Sequence, residues 1–160
     1  MIEQVKSSYD RSGLIALIRD EFALDWQGIH GANHWARVLH HGKNIAQIRK
    51  ADLLVVELFG FLHDSCRLND GRDPDHGKRA AEFAHGIHGD YFRLQPMQLD
   101  YLCYALHHHS GGEVSTNATI QTCWDADRLD LGRVGIYPSA QYLSHEAALF
   151  IDLAHDWSIR

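Results

Sequence analysis

The apolar run Leu53-Leu54-Val55-Val56-Glu57-Leu58-Phe59-Gly60-Phe61-Leu62 ends in His63-Asp64. An imidazole and a carboxylate at the rim of a core element are costly unless they find partners. Both are strong metal ligands, so a divalent cation is one partner that satisfies the pair. A hydrogen-bonded core histidine is the commoner outcome, and His-Asp also arises by chance, so the pair needs support from elsewhere. Two positions offer it: His34 in His34-Trp35-Ala36-Arg37-Val38, and the acidic stretch Asp125-Ala126-Asp127-Arg128-Leu129-Asp130.

Each further candidate has a plain alternative. His30 lies one turn before His34 and forms an i,i+4 pair with it on paper, but Gly28-Ile29-His30-Gly31 reads as a loop. His40 and His41 are expected at the surface, although His41 shares the helical face of His34. Asp125 and Asp127 point about 200° apart on a helix and cannot serve one ion together, whereas Asp127 and Asp130 share a side. Asp130 is also placed to cap its helix or to pair with Arg133. Asp75-His76-Gly77-Lys78-Arg79-Ala80 opens a helix, whose N-terminus favours anions. His107-His108-His109 closes one, and its three rings point about 100° apart, so at most one or two reach a common site. The alternative for this triplet is a helix C-terminus, where protonated histidine is favourable.

These residues need elements to hold them, and the periodicity gives only helices. A first helix or helix pair is expected from about Ile2 to Leu24, with Gly13 as a possible break. A second runs from about Asn33 to Lys50, and a third from an Asp52 N-cap to His63-Asp64. Arg67 to Pro74 is loop chemistry. A fourth helix opens at Asp75-His76 and fades near Gly86 to Gly89. Pro96 starts a fifth that runs to His109. Asn117 caps a sixth, Ala118 to about Val134, with Trp124, Leu129, Leu131 and Val134 as its buried stripe. Ser144 caps a last helix running to the C-terminus. The expected fold is all-α, a single domain over 1–160 with about six to seven helices.

Composition agrees with a globular enzyme-sized domain. Apolar residues make up 45% and charged residues 22% of 160, and the net charge of −6 lacks the basic excess of a general nucleic-acid binder. Cys66, Cys103 and Cys123 match neither a disulfide framework nor a CxxC zinc site, so a reducing, cytoplasmic setting is expected. The N-terminal residues show no apolar signal core, and no run is long enough for a bilayer, so no membrane association is expected. Oligomeric state is not legible.

In order and spacing, His34 to Val38, then His63-Asp64, then Asp125 to Asp130 resembles the HD family of metal-dependent phosphohydrolases, whose pattern is HxxRV, a helix ending in HD, and a helix bearing DxDxLD. The resemblance implies a compact HD-type helical domain with His34, His63, Asp64 and Asp127 on a primary metal. His76 in an HGxxA-like segment and His109 in an AIxxHxxG-like segment match supplementary histidines of the family, with His108 the nearest competitor. They would hold a second ion, contact phosphate, or donate a proton to the leaving group. Asp64, His76 and His109 are thus the expected catalytic residues, and Arg37, Arg67, Lys78 and Arg128 the candidates to bind phosphate. The ligand set suits one or two ions of Mn, Fe, Co, Ni or Zn better than Mg alone.

The implied activity is hydrolysis of a nucleotide or other small phosphate ester by metal-activated water. His63-Asp64-Ser65-Cys66-Arg67 departs from the HDIGK common among relatives, and Arg67 keeps the positive charge with a bidentate fork. The HHE and GYP elements of cyclic-di-GMP phosphodiesterases are absent, and no second, synthetase-like domain fits in this length. A lyase or non-phosphate hydrolase on the same scaffold is the alternative, favoured by an apolar pocket with Arg37 and Arg67 turned away. A non-catalytic metal- or nucleotide-binding protein is the third reading.

Overall fold

The computed structural model describes residues 6–160, so the part of the first expected helix over 1–5 lies outside the described residues. Among the described residues the chain forms eight α-helices: α1 (Arg11–Glu21), α2 (Ala32–Arg49), α3 (Leu53–Leu62), α4 (His76–Ile87), α5 (Pro96–His108), α6 (Ala118–Arg128), α7 (His145–Ala148) and α8 (Ile151–Ser158). One antiparallel pair, β1 (Ser8–Tyr9) with β2 (Phe92–Arg93), joins the N-terminal segment to the α4–α5 connection. Two residues per strand are too few to produce an alternating pattern, which is why the sequence does not announce them.

The caps fall where the side chains predict them. Asp52 accepts hydrogen bonds from the backbone N–H groups of Leu54 and Val55, and Asn117 from those of Thr119 and Ile120. Gln95 and Gln98 form a capping box around Pro96 at the start of α5. Asp10 caps α1 through the N–H of Gly13, so Gly13 sits in the first turn rather than breaking the helix.

Helix α3 is the hub. Seven of its ten residues are buried, and it packs on α1, α2, α5 and α6. Its contact with α2 depends on two glycines. A Cβ on Gly42 would stand 2.6 Å from Val56 Cγ1, and one on Gly60 3.1 Å from Leu39 Cδ2. The close crossing brings His34, near the start of α2, against His63 at the end of α3.

Three expectations change. α6 ends at Arg128 instead of continuing to Val134, and Leu131–Val134 tightens into a 3-10 turn that stops at Gly135, φ 79°. Gly132 in that turn packs directly under Ser158 of α8, leaving no space for a side chain. Val134 consequently lies outside the buried stripe, at 38% exposure. The C-terminal segment is interrupted at Leu149-Phe150, giving α7 and α8 and raising the helix count to eight. His41 is buried, with its ring edge-on to Trp157 and its Nε2 lacking a hydrogen-bond partner among the described residues.

Two measurements test this packing. Gly42→Ala should lower the unfolding free energy by about 1–3 kcal/mol through overpacking at the α2–α3 crossing. An unchanged denaturant midpoint would place the constraint elsewhere. Burial pushes His41 down from 6.5 to about 4. Between those values the unfolded chain takes up a proton that the folded chain refuses, so its contribution to stability is full above pH 6.5 and is lost as pH falls toward 4. Relative to His41→Leu, the native protein should lose up to about 3 kcal/mol across that window, and parallel stability–pH curves would refute it.

Candidate metal centre

Four histidines, carried by four helices, converge on Asp64. His34 comes from the first turn of α2, His63 and Asp64 from the end of α3, His76 from the first residue of α4, and His109 from just past the end of α5. Gly77 permits the last approach: a Cβ there would lie 2.5 Å from the Leu106 carbonyl and 2.7 Å from that of His107. The start of α4 thus nests against the end of α5, and His76 Nε2 reaches His109 Nε2 at 2.8 Å.

The donors form two groups, His34–His63–Asp127 and Asp64–His76–His109. In the first, His34 and His63 Nε2 are 2.8 Å apart, and Asp127 Oδ1 lies 3.3 and 3.4 Å from them. Asp64 joins this group through Oδ2, at 3.4 Å from His34 and 3.5 Å from His63. Its other oxygen, Oδ1, lies 3.4 Å from His76 and 3.6 Å from His109. Ligands around one ion with bonds of about 2.1 Å stand roughly 3.0–3.5 Å apart. Both groups have that spacing, and Asp64 is placed to bridge them.

The outer partners fix which ring nitrogen faces inward. His63 Nδ1 donates to the carbonyls of Phe59 and Gly60, His76 Nδ1 to that of Asp73, and His109 Nδ1 to that of Leu106. His34 Nδ1 meets Asp130 Oδ2 at 2.6 Å. With Nδ1 carrying the hydrogen, each neutral ring turns an Nε2 lone pair inward, and two such nitrogens at 2.8 Å are reconciled by a positive charge between them, a proton or a metal ion. Asp127 Oδ1, buried and without a hydrogen-bond partner among the described residues, has the same need. The residues fit a pair of divalent ions, and the outer carbonyls and Asp130 are the supports such ligands need.

The electrostatics point the same way. Burial alone would raise the Asp64 carboxyl, but His63, His109, His30 and His34 outweigh it and hold it well below the usual carboxylate range. Asp127 is likewise held down, against burial, by His63, His34 and Arg133. His34 is driven down by burial and by Arg133, yet the carboxylates of Asp127, Asp130 and Asp64 around it prevail and lift it to about 9. A cluster that favours a proton so strongly favours a divalent cation in its place.

His34, His63, Asp64, Asp127, His76 and His109 lie together. Other candidates do not. His108 turns outward and faces Glu113, 3.6 Å away. Lys78 is exposed on α4 and does not line the cleft. Arg37 binds Asp130 Oδ1 through Nε at 2.6 Å, so it holds the carboxylate behind His34. Arg128 lines the cleft, but NH1 donates to the Tyr142 carbonyl and the guanidinium covers the Trp124 ring. Arg67 also lines it, with Nε on Asp64 Oδ1 and NH1 on the carbonyls of Asn69 and Gly71. Asp125 turns away to Gln121 and to Ser144, tying α6 to the start of α7.

Two residues carry more than sequence reading assigned them. His30, in its loop, binds Asp64 Oδ2 through Nδ1 at 3.0 Å and faces the Asp70 carbonyl through Nε2, so it supports the ligand carboxylate. Arg133 places NH2 3.9 Å from Asp64 Oδ2 and 3.8 Å from Asp127 Oδ1. Neither had a local signal, because a histidine in a Gly-rich loop and an arginine after an acidic stretch are unremarkable. A cavity of about 400 Å³ opens over the centre, bounded also by Leu131, Val134 and Tyr142.

No family model and no curated protein matches the sequence. Among solved structures, a predicted HD superfamily hydrolase from an uncultured Thermotogales bacterium superposes with a TM-score of 0.72 at 23% identity, over 94% of this chain and 88% of that one. The chain therefore has the all-α HD-type fold, in which Asp64, Asp127, His76 and His109 line one cleft and His34 and His63 are buried beside it. No helix among the described residues is long and apolar enough to cross a membrane.

Asp130→Asn should weaken metal binding by about 10–100-fold, since the support behind His34 is lost while the ligands remain. Titration of the purified protein with Mn²⁺ or Co²⁺ measures this, and wild-type affinity in the variant would show that Asp130 does not orient His34.

Proposed function

We propose that the protein is a hydrolase with two divalent ions, acting on a nucleotide or other small phosphate ester. The observation that carries the proposal is the split of Asp64, one oxygen toward each histidine pair, beneath a cavity that also presents guanidinium groups. His34, His63, Asp127 and Asp64 would hold one ion, and His76, His109 and Asp64 the other. Bound there, the ions supply Lewis acidity, lowering the pKa of water and offsetting phosphoryl charge.

The chain's own contribution is positioning. Asp64 is buried, held from behind by His30 and flanked by Arg67, so its bridging geometry is set before substrate arrives. His76 and His109 turn Nε2 toward each other and spend Nδ1 on carbonyls, which suits them to ligation more than to proton donation. The cavity size suits a small organic phosphate, with Leu131, Val134 and Tyr142 against the organic part. Arg37 is turned away, as the lyase alternative required, but Arg67 remains in the cleft, which favours an anionic substrate. A reducing, cytoplasmic setting stays part of the proposal.

Metal analysis followed by a phosphate-release screen over nucleotides, with Mn²⁺, Co²⁺ and Ni²⁺ supplied, tests this reading. Two ions per chain and metal-dependent phosphate release are expected. His109→Ala should retain one ion, and Asp64→Ala should lose both ions and fall to background turnover with its helical content intact. Undiminished phosphate release by Asp64→Ala would show that the pair is structural.

A further inference from the structure

Among the described residues Arg133 bonds only neutral carbonyls, whereas Arg67, also in the cleft, spends Nε on the Asp64 carboxylate. Arg133 Nε donates to the Ile29 carbonyl at 2.9 Å and NH1 to the Asp130 carbonyl at 2.8 Å. These two neutral acceptors, from the loop before α2 and the turn after α6, lock the guanidinium plane. The side chain is only 8% exposed. NH2 makes no hydrogen bond among the described residues, and at 3.8–3.9 Å it is too far from Asp127 and Asp64 to bond either. Arg133 nevertheless lines the cavity, so this free donor borders both the centre and the space above it.

Asp64 and Asp127 compensate this fixed cation only while they hold no ion. Once Asp64 and Asp127 neutralise ions, their charge no longer offsets the guanidinium, and the cleft there becomes strongly positive. An oxyanion seated against the ions would accept from NH2 and restore the balance. The planar fork is already immobilised, so little entropy is lost when it binds.

We propose that Arg133 is the residue that grips the phosphoryl group of the substrate, binding a non-bridging oxygen through NH2 while the ions contact the same group. This rests on the phosphate-ester reading and narrows it. Arg133, and not Arg37 or Lys78, is the anion-recognition residue. The local device is the turn Leu131–Val134: by tightening after Asp130 it lets one short segment send Asp130 to His34 and Arg133 to the cleft.

The test uses Arg133→Gln and Arg133→Lys, with inorganic orthophosphate as the probe, titrated into protein loaded with Mn²⁺. Both variants should keep the wild-type metal content. Arg133→Gln should bind orthophosphate at least about tenfold more weakly, the loss expected for a hydrogen bond between charged groups, and Arg133→Lys should fall between it and wild type. Equal orthophosphate affinity in wild type and Arg133→Gln would overturn the assignment while leaving the phosphate reading standing. Loss of metal from both variants would overturn it too, making Arg133 a support for the ligand carboxylates. Wild-type protein that holds its ions but fails to bind orthophosphate would instead refute the phosphate reading beneath it.

Discussion

The structure turns on a single buried carboxylate. Asp64 is 2% exposed, and each of its oxygens faces a different pair of imidazole nitrogens. An ionised group in that position is tolerable only where positive charge converges on it. Arg67 and Arg133 supply part of that charge from the protein, His30 adds a hydrogen bond, and the two histidine pairs mark where more would sit. Most of the architecture follows from keeping these donors in register.

The register is maintained by rigid backbone contacts more than by long side chains. Gly42 and Gly60 let α2 and α3 cross closely, which sets His34 against His63. Gly77 lets α4 start against the end of α5, which sets His76 against His109. Each ligand ring is then oriented by an acceptor behind it, a carbonyl for three of them and Asp130 for His34. Asp130 is itself held by Arg37, so the ordering extends outward through a chain of charge-assisted bonds.

The function proposed here draws on this preorganisation. A cleft whose ligand lone pairs already face one another needs little rearrangement to hold ions. The cleft lining combines guanidinium groups with Leu131, Val134 and Tyr142, a mixture suited to a phosphoryl group joined to an organic moiety. The fold is shared with a predicted HD superfamily hydrolase, and a shared fold leaves the chemistry to be argued from the site.

The sequence by itself determined the helices with strong local signals and the residues with strong ligand chemistry. Asp52, Asn117 and Pro96 mark their helix starts locally, and His34, His63-Asp64, His76 and His109 stand at expected element ends, with Asp127 carried by the acidic stretch. Only the tertiary structure decided what long-range packing controls. The helix expected to reach Val134 stops at Arg128 because the turn that follows is shaped by Gly132 beneath Ser158, and residues 26 apart in sequence leave no local trace of that contact. The same holds for His41, buried by a tryptophan more than a hundred residues away. For the arginines, residue type announces a charge but not its partner: Arg37 and Arg133 look equivalent in sequence, and their separate duties arise only once Asp130 has been folded against His34.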